Sequence, residues 1–578
     1  MRRSVLRKAA ITALLFAIFA APAHAGRTAL MPGVTYERQV RFTPHGPVVL
    51  HILRAPRPTG LYALRPLLSN DALLGRETVT SMQKRASSTA TVAGVNGDMF
   101  TWDEGLPSSM LMQSGVLEAP PHPLRSSLGV SDDGSLLIDR VRMLGQWQGS
   151  GPQRNLNGLN QRPGAQGISL FTPIWGPSTP NASGTVEVVL EPLPPAAPFT
   201  DLTGPVVDIK TGGGTVIPRD GAVLVARGSA ATHLAAEAAI GENMLVRLVL
   251  RPQWGGVVDA IGGGPLIVRD GQPVFNALES FAASQINPLN PRTGVGQLAD
   301  GRLVIVAADG RQPGYSVGVS TFELGQILVG LGAVTGTALD SGGSTTMAFN
   351  GKLLNRPSDP GGERPVSDAL TVFYYGAVAW APAKPVLSPN GDGIAERQTL
   401  SYKISRPSTV TSSLIGPDDL PRETQTGVKD PGTYRLTWSG RQADGKSEPE
   451  GRWRWVVNAV DDQAQQSTAS RSFYLNNTLG YLRLKSRFVV RKRGGTFKVR
   501  FRLARPSVVT LSIRTSRGLR VRTIRRHLGR GSRSIRWNGF YGNGVRAYSG
   551  TYVARVQTSN TFGPAQLERR FFVRRARH

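Results

Sequence analysis

Three short motifs occur twice in this chain at one fixed spacing, and that duplication limits its architecture more than any other feature. Ser405-Arg406-Pro407-Ser408, Trp438-Ser439-Gly440 and Gly451-Arg452-Trp453 return 99 residues later as Ala504-Arg505-Pro506-Ser507, Trp537-Asn538-Gly539 and Gly550-Thr551-Tyr552. Self-similarity at a fixed period means one structural unit used twice. In the first copy Leu400, Tyr402 and Ile404 alternate with Ser401, Lys403 and Ser405. In the second, Phe497, Val499, Phe501 and Leu503 alternate with Lys498, Arg500 and Arg502. Period two predicts half-buried strands. Turn signals such as Gly542-Asn543-Gly544 separate them, so residues 390–480 and 481–578 are expected to be two small all-β sandwiches.

The copies differ mainly in charge. Residues 481–578 hold 26 Lys+Arg against the single acid Glu568, so this segment supplies nearly all of the chain's net +29. Its sister is close to neutral. The arginines are therefore not required by the fold; they cost self-repulsion and imply a polyanionic partner. For an exported chain that partner is an anionic envelope polymer or acidic polysaccharide. No recognition helix is evident, so no specific nucleic acid is expected.

Export is read from the N-terminus. Arg2, Arg3, Arg7 and Lys8 precede an apolar run from Ala9 to Ala21 and then Ala23-His24-Ala25, an A-x-A-like cleavage site. Residues 1–25 thus read as a secretory signal peptide, and the mature chain shows no transmembrane-length segment. The expected location is secreted, with envelope association. The chain has no cysteine, which removes disulfides, thiolate metal ligands and thiol nucleophiles together.

At 578 residues with 40% hydrophobic content, the chain is long enough for several domains with real cores. The block from Pro291 to Leu370 carries the chemistry. Thr293–Leu298 and Arg302–Ala308 read as strands joined by the hairpin turn Asp300-Gly301. Ser320 stands three residues before Glu323, a capping box opening an apolar helix that Gly332 closes. Val334–Leu339 is the next strand, Asp340-Ser341-Gly342-Gly343 a tight turn and Thr345–Phe349 a return strand. Asp309 and Asp340 are both placed at strand ends, where rigid scaffolds present functional side chains.

The ordered series AGVNGDMF (93–100), AIGGGPLIVRDG (260–271), PRTGVG (291–296), DGR (309–311), LDSGGSTTM (339–347) and ERPVSDAL (363–370) resembles the phosphodiester glycosidase family. The resemblance runs from about Val40 to Tyr375. It implies a hydrolase that cleaves a sugar-1-phosphodiester at the glycosidic bond, on an α+β, mixed β-rich catalytic domain spanning 26–378. Two positions depart from the family pattern: Asp98 and Ser341 stand where glycine is usual. The W-S/N-G…G-x-W/Y pattern of the repeats resembles the immunoglobulin-like modules of bacterial flagellar-hook capping and surface proteins.

Cleavage of a glycosyl phosphodiester needs donors for the phosphate and a carboxylate near the anomeric carbon, with a second carboxyl to move protons. Arg292 is the candidate for the phosphate, since a guanidinium offers planar paired donors. Gly263 and Gly264 in the GGGP turn offer backbone N–H groups. Asp340 is the first candidate for the catalytic carboxylate, Asp309 the second and Glu363 the third. Ser344 and Thr345 are assigned to phosphate or sugar, and Asn96 with Asp98 to sugar hydroxyls. No cofactor and no protein-held metal is required by any spacing; carboxylate-bound Mg²⁺ or Ca²⁺ is left open. A serine hydrolase is disfavoured because G-x-S-x-G is absent around Ser344, and zincin chemistry because HExxH is absent.

Residues 379–389 are rich in alanine and proline and read as a linker. Asn390 and Asp392 in the following SPNGDG match part of a calcium loop, but Ser388 replaces its first carboxylate. A competing reading keeps the scaffold without catalysis, as a glycan- or polyanion-binding surface protein.

Overall fold

The computed structural model describes residues 26–576 apart from Asn276, so the expected signal peptide lies outside the described residues. The chain divides into two compact units. One comprises the residues up to Pro58, Leu64–Gln83 and Ala93–Val372; the other comprises Thr59–Ala63, Lys84–Val92 and Phe373 onward.

The first unit is built from strands. Among the described residues it has four short α-helices, Val79–Ala86, Ser229–Glu237, Ala283–Ile286 and Thr321–Gly330. The helical share is thus smaller than an α+β label suggests, and β-rich is the accurate description. One eight-stranded sheet runs in the order Thr28–Met31, Val34–Thr43, Gly46–Ala55, Leu303–Ala308, Arg292–Leu298, Ala333–Ala338, Leu266–Arg269 and Gln272–Pro273. Helix Thr321–Gly330 covers it, burying Leu324, Ile327 and Leu328 with Ile52, Val304, Val306 and Val268. The local signals work as expected. Ser320 Oγ accepts from Glu323 N at 3.2 Å while Ser320 N donates to Glu323 Oε2 at 2.7 Å, a complete capping box. Gly301, at φ +84, turns the hairpin between Arg292–Leu298 and Leu303–Ala308.

A second, five-stranded sheet places Thr91–Asn96 between Met347–Phe349 and Asp368–Tyr374. This sheet matters most for function, because it sets the end of AGVNGD beside the start of SDALTVF. Gly94 allows the approach: a Cβ there would lie 2.4 Å from the Leu370 carbonyl.

The second unit contains the two repeats. Each is a three-stranded sheet facing a five-stranded one, with the same strand order. Gln398–Ile404 and Gly432–Trp438 of the first correspond to Phe497–Leu503 and Gly531–Trp537 of the second. Trp438 packs on Trp453 and Phe473, and Trp537 on Tyr552 and Phe571. The duplicated W…G-x-W/Y signature is therefore a pair of matching aromatic cores.

Two expectations change here. Residues 379–389 are not a free linker: Val378 and Ala379 pair with Lys403 and Tyr402, and Val386 and Leu387 pair in parallel with Tyr474 and Leu475. The first sandwich thus begins near Val378. At Asn390 and Asp392, backbone N–H groups occupy the side-chain oxygens. Asp392 N donates to Asn390 Oδ1 at 3.1 Å, and Ile394 N to Asp392 Oδ1 at 2.7 Å. Tyr481 N donates to Asp392 Oδ2. The segment is a turn that ties one repeat to the next.

Candidate active site

Strand Ala333–Ala338 delivers Asp340 just past its end. Asp340 N donates to Gly97 O at 3.0 Å, and Asn96 Nδ2 donates to Asp340 O at 2.9 Å. Asn96 also accepts from Thr293 Oγ1 at 2.7 Å and from Thr346 N at 3.1 Å. Every polar atom of this buried amide is used to tie three strands together, so Asn96 positions the site and has no donor left for a sugar.

Asp340 is half-buried and accepts from Ser341 N at 2.8 Å. Burial pushes its carboxyl up, against the pull of the Ser344 hydroxyl, the Ser341 amide and the Arg364 and Arg292 guanidinium groups. Behind it stand two more carboxyls. Asp368 opens the strand Asp368–Tyr374, is fully buried, and accepts from Asp98 N at 2.7 Å and Ser367 Oγ at 2.9 Å. Burial raises it to about 7, with Asp340 adding to the rise. Asp98 is equally buried, and neither of its carboxylate oxygens has a hydrogen-bond partner. Burial and the neighbouring Asp368 hold it well above the usual carboxylate range. The Met99 amide and Arg125 pull the other way, but ionisation in so buried a place costs more than in water and the protonated form is favoured.

Glycines make room for this trio. A Cβ on Gly97 would lie 1.9 Å from Asp368 Oδ1, and one on Gly262 would lie 2.3 Å from Asp98 Oδ2. Gly263 and Gly264 sit against the end of the neighbouring strand, where Gly264 N donates to Ala338 O at 2.9 Å. The GGGP turn is thus first a packing device for the acids and the strand that presents Asp340.

Arginines line the other side. Arg292 is buried, and its Nε and Nη2 donate to the carbonyls of Val319, Ile286 and Pro288 at 3.1–3.3 Å. Burial, with Arg311 nearby, lowers it to about 10. Only Nη1 is spared, so Arg292 is more a structural clamp than an open phosphate fork. Arg311 and Arg364 are better placed. Arg311 is exposed, held through Nε to Asn290 Oδ1 at 2.9 Å, and its Nη atoms lie over Gly342. Arg364 binds Asp359 through Nε and Nη2 at 2.8 and 3.1 Å and reaches Ser344 Oγ at 3.5 Å through Nη1. Its guanidinium also stacks 5.2 Å from the Trp102 ring centroid. Ser344 is buried between Arg364 and Asp340; Thr345 beside it is also buried, and its Oγ1 has no partner.

Two predicted carboxylates lie elsewhere. Glu363 accepts from Thr80 N at 2.9 Å and Thr80 Oγ1 at 2.6 Å, which caps helix Val79–Ala86. Its charge is spent on the unpaired N–H groups of that helix start. Asp309 is saturated by His51 Nε2 at 2.9 Å, Tyr315 OH at 2.9 Å, Asn355 Nδ2 at 3.0 Å and Arg356 N at 3.2 Å. Asn355 Nδ2 also donates to Thr345 O at 3.1 Å, so Asp309 supports the site through a buried network. Asp368 was not singled out from sequence. Its signal was the aspartate of ERPVSDAL opening the mostly apolar run ALTVF (369–373). Among the described residues no three His, Asp or Glu side chains are grouped to hold a metal ion.

The sequence model of the phosphodiester glycosidase family matches residues 200–373. A 119-residue stretch is 34% identical to the SPbeta prophage-derived uncharacterized protein YomE of Bacillus subtilis (strain 168), covering 21% of this chain and 18% of that protein. A 107-residue stretch is 32% identical to the N-acetylglucosamine-1-phosphodiester alpha-N-acetylglucosaminidase of Mus musculus, covering 18% of this chain and 20% of the relative. The chain therefore spans about a fifth of the length of the curated relatives it matches. The crystal structure of a hypothetical protein from Synechocystis superposes with a TM-score of 0.53 at 25% identity, over 61% of this chain and 64% of that one. Over residues 200–373 the chain is thus similar to the phosphodiester glycosidase family.

Proposed function

We propose that the first unit hydrolyses a sugar-1-phosphodiester at the bond between the anomeric carbon and the phosphate oxygen. The observation that carries this reading is Asp340, partly exposed, with arginines on one side and two buried acids behind it. Such a bond places an anionic phosphate next to a carbon that becomes cationic in the transition state. Arg311 and Arg364 supply fixed donors for the phosphate. The Asp340 carboxylate faces the anomeric carbon, where it stabilises the oxocarbenium-like charge. Asp368, poised near neutrality, is the group able to hold a proton at working pH.

The rest of the proposal concerns place. Residues 1–25 are read as an export signal, and residues 481–578 as the module that retains the secreted enzyme at an anionic envelope.

The test is release of free sugar from a panel of glycosyl phosphodiesters by the mature chain and by Asp340→Asn and Asp368→Asn. Turnover that falls in both variants supports the assignment. Sugar binding without turnover by the unaltered protein favours the non-catalytic surface-protein reading.

A further inference from the structure

The outward face of the three-stranded sheet in the second repeat is a row of cations. Lys498, Arg500 and Arg502 point away from the core between buried Phe497, Val499, Phe501 and Leu503. On one neighbouring strand Arg536 lies directly opposite Lys498, and on the other Arg483 lies opposite Arg500. Like charges directly opposed across strands are destabilising. None of the five forms an ion pair among the described residues. Four of them, Arg483, Lys498, Arg500 and Arg502, border a groove of about 480 Å³ that Tyr481 and Arg533 also line.

The first repeat is an internal control. The cross-strand pairs on the same face there are Thr399–Thr437, Ser401–Arg435 and Lys403–Thr433. The backbone and strand order are shared, so nothing in folding asks for the extra charge. That face is also occupied in the first repeat: Lys403 is buried and its Nζ donates to the carbonyls of Ser87 and Ala90, which belong to the same unit. Burial there lowers Lys403 to about 8. The equivalent Arg502 is exposed. One face of this module thus holds chain in one copy and stands open and cationic in the other.

We propose that this face of the second repeat binds a linear phosphodiester-linked glycopolymer, with successive phosphates seated on Arg483, Lys498, Arg500, Arg502 and Arg536. The strand grid presents cations at about 5 Å across and about 7 Å along the sheet, which suits closely repeated anions. Single-stranded nucleic acid is a poorer fit, because its readers stack bases on exposed aromatics. Of the two aromatics lining the groove, Phe501 is buried, and Tyr481 has Arg502 over its ring at 5.8 Å and its OH committed to Asn390 O. The choice of phosphate over carboxylate rests on the catalytic reading above; the cationic face itself does not.

The test uses the full chain and the sister repeat's own residues: Lys498→Thr, Arg500→Ser and Arg536→Thr together, against Arg569→Ser, Arg570→Ser and Arg574→Ser on another strand as an equal-charge control. Binding of poly(glycerol phosphate), alginate and single-stranded DNA is measured across a salt series. The expected result is tightest binding to poly(glycerol phosphate), weakened at least tenfold by the first triple and less than threefold by the second. The salt slope should fall by about 2 for the first triple, at about 0.7 per lost phosphate contact. The first triple should also melt no lower than the parent, since it relieves repulsion. Equal loss in both triples, or no loss in the first, overturns the face. Tighter binding of alginate or DNA overturns the polymer class. Because these readouts are binding constants, they hold or fail whether or not sugar is released by the catalytic unit.

Discussion

The backbone N–H of Asp98 donates to Oδ1 of Asp368 at 2.7 Å, while both carboxylate oxygens of Asp98 are buried without a partner. Two carboxyls this close in a dry site cannot both be charged without a large cost, so at neutral pH the pair retains a proton. The Met99 amide and Arg125 pull Asp98 down, and Asp340 adds a further negative charge.

This arrangement fixes a pH dependence of stability. Asp368 is raised to about 7 in the folded protein, whereas an unfolded aspartate titrates near about 3.9. Between these values the folded state binds more protons than the unfolded one, so stability is full below the lower value and declines as pH rises through the upper one. Asp98 is raised in the same direction, so Asp98→Asn removes one of the two groups that take up a proton on folding. The melting temperature should therefore fall less steeply from about pH 5 to about pH 8 in the variant than in the parent, as read by calorimetry.

Asp340→Asn and Asp368→Asn should each lower kcat by roughly 10²–10⁴-fold. Glu363→Gln should leave kcat within a few-fold and cost about 1 kcal/mol of stability, since it weakens the cap on helix Val79–Ala86. Steady-state kinetics paired with thermal melts separates the two behaviours.

The arginines should split in the same way. Arg364→Ala and Arg311→Ala are expected to raise KM for a glycosyl phosphodiester about tenfold or more while the fold persists. Arg292→Ala instead strips the donors from three carbonyls and should destabilise by about 3 kcal/mol. A selective KM effect for Arg292→Ala with unchanged stability would contradict its role as a clamp.

Gly97→Ala puts a methyl group 1.9 Å from Asp368 Oδ1 and 2.6 Å from Ile261 Cδ1. The strand cannot move away without breaking Gly97 N–H to Asp368 O at 3.0 Å. Loss of activity with a lowered melting temperature is expected. Gly361→Ala, with nothing within 4 Å, is the matched neutral change.

Much of this fold was legible where its determinants are local. The capping box at Ser320 and Glu323, the turn at Gly301 and the alternation around Phe501 each depend on residues a few positions apart, and each appears as expected. The Asp98–Asp368 pair joins residues 270 positions apart, set side by side only by sheet pairing. For the same reason Glu363 read as a candidate acid, though Thr80, far away in sequence, takes its carboxylate. The proline-rich segment 379–389 misled by composition: two-residue strands at a sheet edge leave no periodic trace.

The central claim is that Asp340 works as the carboxylate of a phosphodiester glycosidase, and sugar release is its most direct measure. With a glycosyl phosphodiester in excess, the account predicts steady liberation of free sugar by the unaltered chain and a loss of roughly 10²-fold or more in a folded Asp340→Asn variant. Equal rates for the two proteins, with both folded, would contradict it.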